Sequence, residues 1–310
     1  MRFVKMHGTG NDYIYINLIP GFDDTTRATY NEDGCLLTIE EKKVEDVVIP
    51  LSDRHFGIGS DGLIAVAPSD IADVRMIMYN ADGSEGSMCG NGIRCVAKFA
   101  YDRGLLNESI YDGSSAGTHP VISIETKSGI KKVTLTIENG SCTYVEVNMG
   151  RAILVPEDIP ADTRFFSNKD QITDYPLAVG EKKYNVTCVS MGNPHCVIFT
   201  ENIDELDLET IGPLFEHHDA FPEQINTEFI EVIDDHTIKM RVWERGSGET
   251  MSCGTGTCAA TVAAVLNGYV KADTETEVRI PGGSLYDTYL SSGEVLMKGP
   301  AVTVYEGEVY

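Results

Sequence analysis

The tetrapeptide Cys89-Gly90-Asn91-Gly92 returns later in the chain as Cys253-Gly254-Thr255-Gly256. Each copy opens an apolar run at helical spacing. The first is Ile93, Val96, Ala97 and Phe99, closing at Gly104; the second is Ala259, Ala260, Val262, Ala263 and Leu266, closing at Gly268. Apolar positions three or four apart with a glycine stop predict a helix after each cysteine. A strand-like run precedes each copy, Met76–Tyr79 and Met240–Trp243. Asn80 and Glu244 each stand nine residues before their cysteine, and Glu85 and Glu249 each stand four before. A unit repeated in this register predicts two similar domains, one cysteine from each, and a site built on two thiols.

The spacing has a chemical meaning. A thiol at a helix N-terminus meets unpaired backbone N–H groups and the positive end of the helix dipole. That environment is expected to lower its pKa from about 8.5 toward neutrality. The same N–H groups can hold a carboxylate, and Gly-x-Gly lets backbone approach a ligand closely. A thiolate on one side of a carbon and a thiol on the other can invert a stereocentre, one taking the Cα proton and the other returning a proton to the opposite face. No Lys stands in a pyridoxal-phosphate pattern, so the reaction is expected to use no cofactor. Zinc fits badly, because Cys89/Cys95 and Cys253/Cys258 lack the usual short Cys-x-x-Cys spacing. Cys95 and Cys258 fall inside the predicted helices and read as small core residues, as do Cys35, Cys142, Cys188 and Cys196 in strand-like runs.

Composition excludes other classes. At 310 residues the chain has room for two domains with their own cores. A formal net charge of −24 argues against nucleic acid and against a basic membrane-surface role. The N-terminus shows no signal-peptide core, and no apolar run approaches the roughly 18 residues of a membrane span. The protein is therefore expected in the cytoplasm, with its eight cysteines as free thiols.

Taken in order, Phe3–Met6 and Tyr13–Leu18 read as strands around the loop His7-Gly8-Thr9-Gly10-Asn11-Asp12. Residues 20–50 read as a polar excursion with a strand at Cys35–Ile39 and a helix near Glu40–Val48. Gly57-Ile58-Gly59-Ser60-Asp61-Gly62 matches a dinucleotide-binding string only on paper, since a strand, Leu63–Val66, follows where a helix is required. A Gly- and Ser-rich loop, Asp112–Thr118, leads to three strands, Val121–Thr126, Lys132–Ile137 and Thr143–Asn148; Asn139-Gly140 between the last two predicts a hairpin. The chain turns at Met149-Gly150-Arg151. Val155–Pro160 reads as a loop. Tyr184–Ser190, the loop Met191-Gly192-Asn193-Pro194-His195 and Cys196–Phe199 repeat the strand, loop, strand of the N-terminus. A helix near Glu205–Phe215, strands Glu228–Ile233 and Thr237–Trp243, and final strands at Glu277–Ile280, Val295–Gly299 and Val302–Tyr305 complete the reading.

Together, Lys5–Tyr13, Asp53–Gly59, Asn80–Glu85 with Cys89–Gly92, Met191–His195, and Glu244-Arg245-Gly246 with Cys253–Gly256 resemble the diaminopimelate epimerase family, in the family's order along the whole chain. The resemblance implies an α/β (α+β) fold of two similar domains, each a curved mixed β-sheet wrapped around a central helix, with the active site in the interdomain cleft. The domains would be residues 1–148 plus 300–310, and 149–299. It implies interconversion of LL- and meso-2,6-diaminopimelate with no cofactor and no metal, a small-molecule substrate and a homodimer. Carried over by motif, Cys89 and Cys253 are the acid/base thiols, and His195 and Glu244 assist them, His195 pairing with Cys89 and Glu244 with Cys253. Asn11, Asn80, Asn193, Asn226, Glu244 and Arg245 match substrate contacts. Gly90, Asn91, Gly254 and Thr255 match positions that hold the reacting carboxylate. Gly62 stands where some members carry a substrate-contacting Gln.

Three alternatives follow from the same residues. One is a racemase for proline, hydroxyproline or histidine on the same scaffold; Asn226 and Glu244-Arg245 favour a substrate with a second amino-carboxylate end. The others are a non-catalytic amino-acid-binding protein, which retention of both cysteines, His195 and Glu244 disfavours, and a disulfide-based redox protein, which would be active when oxidised, whereas a disulfide leaves the epimerase neither base nor acid.

Overall fold

The computed structural model describes residues 1–31, 35–111, 119–167 and 170–310. The predicted loop at Asp112–Thr118 lies outside the described residues. The chain divides into two compact units, residues 1–147 with 299–310, and residues 148–298.

In the first unit β1 (Arg2–Gly8) and β2 (Asn11–Asn17) form an antiparallel hairpin. The turn residues Thr9 and Gly10 both have positive φ, 50° and 88°. The chain then makes a small three-stranded sheet, β3 (Ala28–Tyr30), β4 (Leu36–Ile39) and β5 (Lys42–Lys43), and α1 (Val44–Ser52). It returns as β6 (Gly62–Ala67), parallel to β2 and buried at every residue, as a central strand with both faces covered must be. Antiparallel β7 (Val74–Asn80) follows, with β8 (Glu85–Gly86) folded back on it. Next come α2 (Gly90–Asp102), a single turn α3 (Glu108–Tyr111), β9 (Val121–Thr126) parallel to β7, β10 (Gly129–Glu138) and β11 (Ser141–Arg151). Asn139 and Gly140 close the β10–β11 hairpin at φ 52° and 81°, the paired positive values that select Asn-Gly.

In the second unit β12 (Tyr175–Val179), β13 (Lys182–Ser190) and β14 (Pro194–Phe199) run antiparallel. They are followed by α4 (Leu208–Glu216), β15 (Asn226–Val232) parallel to β14, β16 (Thr237–Glu244) antiparallel to it, and β17 (Gly248–Thr250) folded back on β16. Then come α5 (Gly254–Leu266), β18 (Thr276–Ile280) parallel to β16, β19 (Gly283–Tyr289) and β20 (Glu294–Pro300). The last strand, β21 (Val302–Glu308), pairs with β1.

The order of pairings is the same in both units, with β13, β14, β15, β16 and β18 in the places of β1, β2, β6, β7 and β9. The sequence repeat is thus a repeat of topology. Each cysteine-led helix has 13 residues and packs against strands of its own sheet. In α5 the residues Ala259, Ala260, Val262, Ala263 and Ala264 are all fully buried. Apolar residues on every side mark a helix enclosed by its surroundings, and small ones let strands approach closely. The other face of the second sheet packs Cys196, Phe229 and Trp243 against Phe215 and Phe221, with the Phe215 and Phe229 rings edge-on at 5.7 Å. Burial of such side chains contributes about 1.5–3 kcal/mol each.

Several elements differ from expectation, among them two helix starts and two strands. The helix expected near Glu40–Val48 begins at Val44, because Lys42-Lys43 first pair with β4. The helix expected from Glu205 begins at Leu208, with Asp207 as its cap accepting from the Thr210 N–H. β12 and β19 were not anticipated. Pro176 masks β12, where it is tolerated in a strand that pairs with β13. In β19 the fully buried Asp287 interrupts the apolar alternation.

Candidate active site

In the first unit Cys89 is the N-cap of α2, and its Sγ accepts from the Gly92 N–H at 3.3 Å. The thiol faces Asn11 Oδ1 at 3.1 Å. Asn11 is held from behind, its Nδ2 donating to Asp61 Oδ2 at 2.7 Å. Asp61 also accepts from Arg54 at 2.8 Å, and Arg54 bridges to Asp12, which pairs in turn with Lys5. An array of charges therefore fixes the side chain that touches the sulfur. Asn91, next in the helix, is buried and accepts from Arg94 at 2.9 Å; Arg94 is fully buried and also donates to the Gly90 carbonyl at 3.2 Å. Asn80, at the end of β7, donates to Ser84 Oγ at 3.0 Å.

Gly62 opens β6 at φ 152°, and a Cβ there would lie 2.0 Å from the Tyr79 carbonyl oxygen. No side chain fits without moving β7. A Gln at this position, which the resemblance puts in some members, is thus incompatible with the local backbone.

In the second unit one face of the sheet carries the polar residues. The parallel register sets His195 of β14 beside Asn226 of β15, and alternation brings Glu228 to that same face. Glu244 ends β16 and accepts from Thr250 Oγ1 at 2.5 Å. Asn226 Nδ2 donates to the Pro194 carbonyl at 2.8 Å, and its Oδ1 accepts from the Arg245 N–H at 3.0 Å. Arg245 reaches the Glu223 carbonyl at 2.9 Å. Cys253 precedes α5 and is buried; its Sγ lies 3.6 Å from Thr255 Oγ1. Asn193 Nδ2 donates to that same hydroxyl at 3.2 Å, while its Oδ1 lies 3.1 Å from His195 Nε2. Glu216 of α4 accepts from Trp243 Nε1 and from the Gly246 N–H, at 2.7 and 2.8 Å, and so pins the Glu244–Gly246 turn.

Both thiols sit where the helix dipole predicts, yet their pKa values move up. For Cys89 burial outweighs the N–H groups of Gly92 and Asn91, the Arg94 charge and the Tyr13 hydroxyl, all of which act to lower it. For Cys253 burial again dominates, and the negative charge of Glu244, with that of Glu228 whenever it is ionised, pushes the thiol further up. Desolvation of a buried anion exceeds what a helix end returns. Among the described residues no group of three or more His, Cys, Asp or Glu side chains is arranged to hold a metal ion.

Sequence reading missed Asp61, Arg54, Glu216 and Glu228. Glu228 had a signal: a carboxylate inside the apolar alternation Thr227-Glu228-Phe229-Ile230, at a position facing a helix.

A family model described as diaminopimelate epimerase matches residues 3–155 and 187–304. The chain belongs to the diaminopimelate epimerase family. A diaminopimelate epimerase of Acetivibrio thermocellus is 47% identical over 310 residues, covering 100% of this chain and 98% of its own. Another from Methanococcus maripaludis is 46% identical over 313 residues, covering 100% and 99%. Among solved structures, a probable proline racemase from Agrobacterium radiobacter aligns with a TM-score of 0.63 at 13% identity, covering 100% of this chain and 92% of that one. A hydroxyproline epimerase from Agrobacterium vitis gives 0.61 at 15%, covering 99% and 91%. At these identities the likeness shows a shared fold alone.

Proposed function

We propose that this protein interconverts LL- and meso-2,6-diaminopimelate by a two-base mechanism in which Cys89 and Cys253 serve one substrate carbon. The observation that carries the reading is the matched placement of the two cysteines, each one residue before a 13-residue helix in units of identical strand order. One thiolate removes the Cα proton and the other thiol returns a proton to the opposite face. Negative charge builds on the α-carboxylate, where N–H groups at Gly90, Asn91, Gly254 and Thr255 receive it; pre-aimed donors of this kind are worth about 3 to 4 kcal/mol each in comparable sites. His195 and Glu244 assist the thiols. Asn11, Asn80, Asn193, Asn226 and Arg245 contact substrate, with Arg245 as the bidentate partner of the distal carboxylate.

The product serves lysine and peptidoglycan precursor synthesis, in the cytoplasm, and the enzyme acts as a homodimer. Among the described residues no helix is long and apolar enough to cross a membrane.

One observation favours a second reading. The glycine-only backbone at Gly62 removes a contact that some members make through Gln, which opens the site to another amino acid. A panel of diaminopimelate, histidine, proline and hydroxyproline, followed by chiral chromatography, separates the two. Turnover of diaminopimelate alone supports the first; turnover of another member without diaminopimelate overturns it.

A further inference from the structure

His195 Nδ1 and Glu228 Oε1 lie 2.6 Å apart, and both side chains are fully buried. Glu228 Oε2 makes no hydrogen bond among the described residues. A carboxyl group enclosed in this way costs several kcal/mol if ionised without compensation, and burial does push Glu228 up while the His195 charge pulls it back. A neutral acceptor would hold the ring as well, so the carboxyl calls for another explanation.

The surrounding bonds supply one. Asn193 donates from Nδ2 to Thr255, so its Oδ1 faces His195 Nε2, which must carry a hydrogen. The remaining ring nitrogen is left to Glu228, and one proton occupies the space between Nδ1 and Oε1. The pair is either imidazole with carboxylic acid or imidazolium with carboxylate, at the same total charge. Glu228 also stands next to the second thiol. A Cβ at Gly256 would lie 2.8 Å from Glu228 Oε1 and 3.2 Å from Cys253 Sγ, so the two border the same empty position, and a carboxylate at Glu228 disfavours a thiolate at Cys253. The other titratable groups acting at this place are Glu244 of β16 and Cys196 of β14.

We propose that Glu228 is a positioning residue for the reaction, locking His195 with Nε2–H toward Asn193 and moving the shared proton onto Nδ1 as negative charge appears on Cys89, the thiol that His195 assists in the proposed reading. The proton passes from Oε1 to Nδ1 and back. The O–H bond breaks as the N–H bond forms, and the site neither gains nor loses a proton. His195 becomes cationic when a thiolate needs a cation, without a solvent path to a buried ring. This inference rests on the proposed epimerase reading.

The test is Glu228→Gln, which keeps shape and removes the mobile proton. The expected result is a folded protein by circular dichroism, a kcat for diaminopimelate reduced about 10²-fold, a KM within about threefold, and loss of a shared, strongly downfield proton on His195 in 15N-edited spectra, assigned with His195→Gln. Unchanged kcat and unchanged His195 resonances would overturn the proposal, as would a raised KM at unchanged kcat. Should the variant fail to fold, the wild-type spectrum decides: a shared Nδ1 proton supports the proposal and its absence overturns it. Wild-type protein inactive on diaminopimelate would defeat the epimerase reading instead, and the spectrum would still judge the Glu228–His195 proton.

Discussion

Trp243 Nε1 donates to Glu216 Oε2 at 2.7 Å, tying the only tryptophan of the chain to α4 just before the Glu244-Arg245 pair. Gly212 permits this packing, since a Cβ there would sit 2.2 Å from the indole ring. Glu216→Ala leaves the indole N–H and the Gly246 N–H without their acceptor. A hydrogen bond to a charged group contributes about 1.5–3 kcal/mol. The expected outcome is a stability loss of about 3 kcal/mol, a red-shifted tryptophan emission, and a KM for diaminopimelate that rises more than kcat falls. Denaturant melts and steady-state kinetics check it; a KM unchanged in the folded variant would mean that the turn does not place Arg245.

Cys89 and Cys253, the two thiols of the proposed mechanism, are pushed above the ordinary thiol range, chiefly by burial. A raised pKa favours the neutral thiol in the free enzyme, so the fraction with one thiolate grows as pH rises. The account therefore expects kcat/KM to climb through neutrality and past pH of about 8.5, the free-thiol value, and to fall only when the second thiol, pushed higher by Glu244 and Glu228, is lost as an acid. A pH profile of kcat/KM that levels off below neutrality would show the helix ends outweighing desolvation.

Cys89→Ala and Cys253→Ala are each expected to lower epimerisation at least about 10³-fold, within the range for loss of an acid or base. Removing one sulfur from either site leaves the surrounding core intact, so thermal melts should stay near those of the wild type. Either variant retaining full activity in a chiral assay would end the two-base account.

Gly62→Gln introduces the residue that the resemblance puts in some members of the family, yet the expected outcome here is loss rather than gain. The new Cβ meets the Tyr79 carbonyl at 2.0 Å on a backbone with φ 152°. Overpacking of this sort costs about 1–3 kcal/mol, and it displaces β7, which carries Asn80. Denaturant midpoint and KM are the readouts; a stable variant with a lower KM would show that β7 yields.

Much of the candidate site's layout was legible because it is local. The register from Asn80 to Cys89 and from Glu244 to Cys253 spans one hairpin and one helix start, so spacing alone recovers it. The pairing of strand order between the two units follows from the same repeat. What escaped depends on strands meeting across long stretches of chain. Glu228 becomes a partner of His195 only once β14 and β15 lie parallel, and Asp61 becomes a support for Asn11 only once the loop before β6 reaches β2. The direction of the thiol shifts escaped for a related reason. A helix end can be read from sequence, whereas the desolvation that outweighs it depends on what the sheets bury.

The most direct test of the central claim is proton NMR of LL-diaminopimelate in D2O with the reduced protein and no added cofactor. The account predicts deuterium entering at Cα together with formation of the meso isomer. An absence of both exchange and isomer formation, from protein shown to be folded and to hold both thiols reduced, would contradict it.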